Sequence, residues 1–376
     1  MNKRLAKVGY ITFLLSGICA ISSGIIVSVL QQKYGLSYGM MGTLVSLMNI
    51  GNMVAAFLSG ILPTKIGTKN TVVILCSGYF LGYLLMAFVG WMGALIAGFL
   101  MIGLAKGCAL NNCTVLVGNN SENRTTGMSI MHALYATGAM LCPFLITGLL
   151  LVDSSFAIAG VAVIGLALWL VFFFAGLPGK KKPEGNQKEK TDFSFMKDRT
   201  FWLLTALVFC QNAAESSVTG WLVTYYKNQG ILSGTLSNYT VTIMWGATLI
   251  ARLLIAFVVP IKNTFKGLMV MGVGCSLFYL LLVCSSQPVA AIITLFGFAF
   301  AIAGVSPVAV AGVGKMMNAA SMGVMLPLAG SGAIIVPWVI GIVAQNLGLQ
   351  AGMMVNVIPC VGIFVLSFIL LKNKTY

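Results

Sequence analysis

The chain has 376 residues, of which 59% are hydrophobic and 8% charged, with 22 Lys and Arg against 7 Asp and Glu. A soluble domain carries roughly a quarter charged residues, so this composition, with a mean hydropathy of +0.99, excludes a soluble globular fold and implies a polytopic membrane protein. The basic excess is then read as charge that orients helices from the loops, and not as a nucleic-acid surface.

In chain order, the start, MNKRLAKVGYITFLLSGICA, has the basic head and apolar body of a signal peptide. Its apolar run continues to about Leu30, which predicts an uncleaved first helix. Runs long enough to cross a hydrocarbon layer of ~30 Å lie near residues 7–30, 39–63, 71–90, 92–116, 126–151 and 154–177. A polar stretch, GKKKPEGNQKEKTDFSFMKDR over 179–199, reads as an aqueous linker. Six further runs follow near 200–226, 236–260, 267–286, 288–313, 319–346 and 350–371. The expected fold class is therefore an all-α membrane protein of about twelve transmembrane helices. It divides into an N-terminal half over 1–178, the linker, and a C-terminal half over 200–376. If the helices alternate, the basic residues of the termini and the linker share one side, leaving only Lys33 and Lys227 on the other. The positive-inside rule then places both termini in the cytoplasm and the chain in the cell membrane.

The halves repeat one another. TGAMLCP over 137–143 and SGAIIVP over 331–337 are offset by 194 residues, and the same shift sets Gly103 on Gly297 and Gly118 on Gly312. A repeat in the same orientation predicts a carrier of two six-helix halves with its substrate site between them.

The ionisable residues inside the apolar runs are few, and each is a candidate for function because charge in hydrocarbon is costly. Glu215 is the only acid within any of them. In FCQNAAESSVTGWLVTYY over 209–226, helical winding brings Gln211, Asn212, Glu215, Ser216 and Thr219 within an arc of about 140°. This polar stripe must face protein or water, so Glu215 reads as a substrate acceptor or a proton site. Lys106 lies in the fourth run at a depth within roughly 5 Å of Glu215, and three readings stand for it. It pairs with Glu215, it holds an anionic solute, or it snorkels toward the interface. Asn111, Asn112 and Ser306 are candidate cavity donors that equally suit interhelical hydrogen bonds. Arg252, toward the cytoplasmic end of the eighth run, fits a gating or packing role. His132, the only histidine, reads as a structural donor more readily than as a pH sensor. Trp221, Tyr225 and Tyr226 close the seventh run in the manner of an interfacial belt. The nine cysteines lie in apolar runs without a CxxC pair and are expected to pack as small hydrophobes.

Nothing in the sequence suggests an enzyme or a cofactor: HExxH and GxxxxGK[ST] are both absent. The expected partners are the lipid bilayer and a small-molecule substrate, with H+ as the candidate coupling ion. No metal or nucleic acid is expected, and the chain is expected to be a monomer.

Residues 60–69, GILPTKIGTK, resemble the loop motif between the second and third spans of the major facilitator superfamily: Gly60, Leu62, Lys65, Gly67 and Lys69 match, and Thr64 stands where the family has Asp. Two further stretches resemble the fucose-permease-like branch of sugar:proton symporters. One is RTTGMSIMHALYATGAMLCP, through Arg124, His132, Gly138 and Pro143. The other runs from FWLLTALVFCQNAAESSVTGWLVTYY through IMWGATLIARLL, through Glu215, Trp221, Trp245 and Arg252. The resemblance implies a secondary active transporter moving a small polar, sugar-like solute by alternating access, with gating and structural roles for Gly60, Lys65, Gly67, Lys69, Arg252 and His132. That branch carries a proton-coupling acid in its fourth helix, four positions before an Asn. Here the Asn is Asn111 and the acid position is Gly107. The alternative in the same fold is efflux or exchange of an amphiphilic or anionic compound, which Lys106 favours.

Overall fold

The structure is a computed structural model that describes residues 2–122, 124–177, 194–258, 261, 263–312 and 319–373. Six helices make up the first part of the chain: α1 (Lys3–Tyr34), α2 (Tyr38–Ile66), α3 (Thr68–Phe88), α4 (Met92–Asn120), α5 (Arg124–Leu150) and α6 (Ser154–Phe173). Most of the linker expected at 179–199 lies outside the described residues; Ser194–Lys197 form a 3-10 turn. Then come α7 (Arg199–Asn228), α8 (Gly234–Phe257) and α9 (Thr264–Cys284). The last three spans are each interrupted. The tenth is α10 (Pro288–Ile302) with α11 (Val305–Gly312), the eleventh α12 (Ala319–Gly330) with α13 (Gly332–Leu347), and the twelfth α14 (Leu349–Met354) with α15 (Val357–Asn373).

Local chemistry sets many of these boundaries. Asn2, Asp153, Asp198, Ser233 and Asn263 each accept a hydrogen bond from a backbone N–H in the first turn of the helix they precede, satisfying donors that have no intrahelical partner. Gly35, at φ 63°, closes α1 by returning its N–H to Gln31 O at 2.8 Å, a left-handed turn that a side chain would strain. At the start of α1, Lys3 Nζ meets Glu122 Oε1, just past the end of α4, at 3.0 Å and holds that carboxyl below its usual range. The pair's stabilisation is present at neutral pH and fades as pH falls through the lowered value, but at 78% and 70% exposure it contributes little.

Eleven helical segments among the described residues are long and apolar enough to cross a membrane. The 30-residue α7 falls outside that set because Gln211, Asn212 and Glu215 interrupt its apolar surface.

The chain clusters into two compact units, one of residues 1–36 and 44–186, the other of residues 37–43 and 187–376. In the first, every residue of α1 from Ser16 to Leu30 is buried; α1 packs on α4, α5 and α6, and α3 packs on α4 and α6. In the second, α7 takes the position of α1, packing on α11, α13 and α15, while α9 packs on α10 and α15. The neighbour pattern is thus repeated six spans later, as the duplication predicts. Backbone crossings repeat too. A Cβ on Gly138 would collide with Leu14 O of α1, and one on Gly332 with Phe209 O of α7. These glycines are matched by the 194-residue shift and let backbones touch. Gly103 and Gly297 do not behave alike: the first abuts the Met48 carbonyl of α2, the second the Phe278 ring of α9.

Trp221, Tyr225 and Tyr226 correct the expectation of an interfacial belt. Each is at most 2% exposed, and each donates to a backbone carbonyl of another element: Trp221 Nε1 to Pro337 O at 3.1 Å, Tyr225 OH to Val283 O at 2.8 Å and Tyr226 OH to Ala291 O at 3.2 Å. Aromatic residues with one polar atom serve a helix interior as well as an interface once that atom finds an acceptor. Seven cysteines are buried as expected, while Cys210 is half-buried and Cys284 exposed.

Candidate functional site

The polar stripe of α7 forms as its spacing requires. Gln211, 3% exposed, donates through Nε2 to Glu215 Oε2 one turn later; an ionised carboxylate only accepts, which fixes the amide's orientation. Thr219 Oγ1 donates to the Glu215 backbone carbonyl at 2.8 Å and lies 3.8 Å from Met244 Sδ of α8. Ser216 Oγ donates to Ala333 O of α13 at 3.4 Å. Glu215 and Asn212 are half-buried. On the opposite side of α7, Asn356 Nδ2, at the interruption of the twelfth span, donates to Ala214 O at 3.3 Å.

The pair leaves more acceptors than donors. With Nε2 engaged, Gln211 presents its buried Oε1, which accepts no hydrogen bond from the described residues, next to a carboxylate whose second oxygen is also an acceptor. An arrangement of this kind suits a group that donates hydrogen bonds, such as a hydroxyl, an ammonium or an added proton.

The other sequence candidates lie on other elements. Lys106 is half-buried on α4, in the first unit, whereas Glu215 belongs to the second. Asn112 donates to Cys108 O at 2.9 Å within its own helix, and Asn111 donates weakly to Ala56 O of α2 at 3.4 Å. His132 sets its ring edge against Phe13, with centroids 5.6 Å apart. Arg252 Nε donates to Ala303 O at 3.3 Å, at the interruption between α10 and α11. In the loop motif, Gly67 has φ 87° and begins α3, a conformation that requires glycine. Gly60 has nothing within 4 Å of a built Cβ, so no tight crossing is made there. Lys65 is exposed, and Lys69 Nζ stands 4.9 Å from the Phe173 ring centroid, within cation–π reach. Thr64, in the place of the family's Asp, donates to Ile61 O of its own helix at 2.7 Å.

Gly107 shows why the fourth span has no acid at that position. It is buried where α4 crosses α2, and a Cβ there would collide with Asn52 O and press on Ala55. A carboxylate would separate the two backbones. Gly107→Asp is therefore expected to lower the yield of monodisperse protein severely, whereas Gly107→Ala lowers it moderately; equal yields for Asp and wild type would contradict the packing account.

A family profile described as the Major Facilitator Superfamily matches residues 9–335. The chain is 30% identical to a gallate transporter of Pseudomonas putida over 138 residues, covering 36% of this chain and 31% of that protein. It is 22% identical to Bypass of stop codon protein 6 of Saccharomyces cerevisiae (strain ATCC 204508 / S288c) over 291 residues, covering 67% of this chain and 59% of that one. The chain thus spans less than two thirds of either relative. Among solved structures it superposes on a mutant of the nucleoside transporter NupG with a TM-score of 0.80 at 17% identity, covering 99% of both chains. A bacterial homologue of the human lysosomal transporter Spinster, in an inward-facing and occupied conformation, superposes at 0.73 and 11% identity, covering 99% of this chain and 96% of that one.

Proposed function

The chain belongs to the Major Facilitator Superfamily, and from that premise we propose that it is a secondary transporter of the cytoplasmic membrane, moving a small hydroxyl-bearing solute by alternating access with Glu215 as its coupling carboxylate. Both termini and the linker face the cytoplasm in this reading, following the distribution of Lys and Arg. The observation that carries it is the Gln211–Glu215 pair, an acceptor-rich locus on a long helix whose apolar surface is broken by polar residues. The fold supports a solute carried by alternating access, and the nucleoside named for one structural neighbour is a neutral, hydroxyl-rich compound.

A second reading is transport of an organic anion, with Lys106 as its counter-charge. Two observations favour it. Packing at Gly107 leaves α4 with a cation and without the branch's acid, and the Pseudomonas putida relative is named for gallate, a hydroxylated carboxylate.

Ligand-induced stabilisation separates the readings. Purified protein is heated with uridine, fucose or gallate; a compound at a hundred times its Kd is expected to raise Tm by about 5 °C or more. A neutral compound is expected to lose its effect in Glu215→Ala and keep it in Lys106→Ala. A shift by gallate alone, abolished in Lys106→Ala, selects the anion reading. Shifts that survive both substitutions remove this pair of residues from the solute site.

A further inference from the structure

A proline has no N–H to give the carbonyl four residues earlier, so each one inside a helix releases an acceptor in the interior of the span. Pro307 releases Ala303 O, and Pro337 releases Ala333 O. In both places the released oxygen accepts from a side chain of a neighbouring helix. Arg252 Nε of α8 donates to Ala303 O at 3.3 Å, and Ser216 Oγ of α7 donates to Ala333 O at 3.4 Å. The first oxygen lies where the tenth span is interrupted: α10 ends at Ile302, α11 begins at Val305, and regular bonding has resumed by Val308 N to Gly304 O at 3.1 Å. A guanidinium at the C-terminal end of α10 is also favoured by the helix dipole. The second oxygen sits in the first turn of α13, one turn before the buried Pro337, whose own carbonyl accepts from Trp221.

We propose that Arg252 and Ser216 are positioning residues, each holding from an adjacent helix the carbonyl that a proline releases, and so setting the angle at which the tenth and eleventh spans bend. Without the donor, the released carbonyl draws the helix toward a different partner and the bend loses its fixed angle. Ser216 directly follows Glu215, so the bend of the eleventh span is tied to the polar stripe of α7 through one residue. The inference does not depend on which solute is carried.

The test removes the need for the clip instead of the clip alone. Arg252→Leu is compared in the native background and with Pro307→Ala, which restores an N–H to Ala303 O, using thermal unfolding of purified protein and amide hydrogen exchange over residues 300–312. In the native background Arg252→Leu is expected to lower Tm by about 3 °C or more and to speed exchange there by roughly tenfold. In the Pro307→Ala background both effects shrink to less than half, and Arg252→Lys, which keeps a charged donor, retains most of the native value. If Arg252→Leu yields no folded protein, recovery of monodisperse protein in the double variant supports the proposal and its failure overturns it. Equal losses in the two backgrounds also overturn it, because Arg252 would then act on something other than the released carbonyl. Ser216→Ala with and without Pro337→Ala provides the second cycle, with the same expected non-additivity.

Discussion

Replacing Glu215 with Gln is expected to abolish gradient-driven accumulation in proteoliposomes while leaving solute exchange intact. Among the described residues Glu215 is the only acid within a membrane-spanning helix, and its partner Gln211 donates to it on the same face of α7. Gln at position 215 keeps the shape and can still exchange hydrogen bonds with a solute and with Gln211, but it cannot gain and lose a proton. An inward gradient of about one pH unit stores ~1.4 kcal/mol per proton, enough for roughly tenfold accumulation with one proton per solute. The native protein, loaded with the solute found by thermal stabilisation, is expected to approach that ratio. The variant should settle at a ratio of one, with counterflow within a factor of about three of native, since exchange does not depend on net proton movement. Glu215→Asp restores a titratable group and is expected to recover part of the accumulation. A variant with Gln that still concentrates solute against its gradient would remove Glu215 from coupling.

The other large effect is structural. Gly138 and Gly17 form a crossing in which α1 and α5 touch backbone to backbone: a Cβ on Gly138 would enter Leu14 O, and one on Gly17 would enter Tyr135 O. Leu at position 138 cannot be absorbed by rotamer change, because both obstacles are main chain. It is expected to cost at least about 3 kcal/mol and to leave little monodisperse protein in detergent, as read by size-exclusion chromatography of a fluorescent fusion. Gly332→Leu is expected to do the same to the second unit through Phe209 O. Gly60→Leu is the control, since nothing lies within 4 Å of that site. A similar loss at Gly60, or none at Gly138, would show that these crossings do not set stability.

Much of the site's local arrangement is legible before any tertiary structure. The i, i+4 spacing of Gln211 and Glu215 alone places them on one face, and helical winding delivers the bond between them. The duplication is legible in the paired glycines and prolines of TGAMLCP and SGAIIVP, because a close crossing and a released carbonyl both depend on residue type at fixed positions. Trp221, Tyr225 and Tyr226 were not legible in the same way. A run of aromatics at the end of an apolar segment has the same composition whether it meets lipid headgroups or the carbonyls of Pro337, Val283 and Ala291.

The sequence by itself determined the class of the molecule, its roughly twelve spans, its two repeated halves and the stripe on α7, since hydropathy and periodicity act locally along the chain. Only the tertiary structure decided which carbonyl Arg252 answers, why Gly107 admits no acid, and that Gly103 and Gly297 are not equivalent. Those outcomes depend on what another helix places across from a residue, 19 to 55 positions away in the sequence, and no property of the residue itself carries that information.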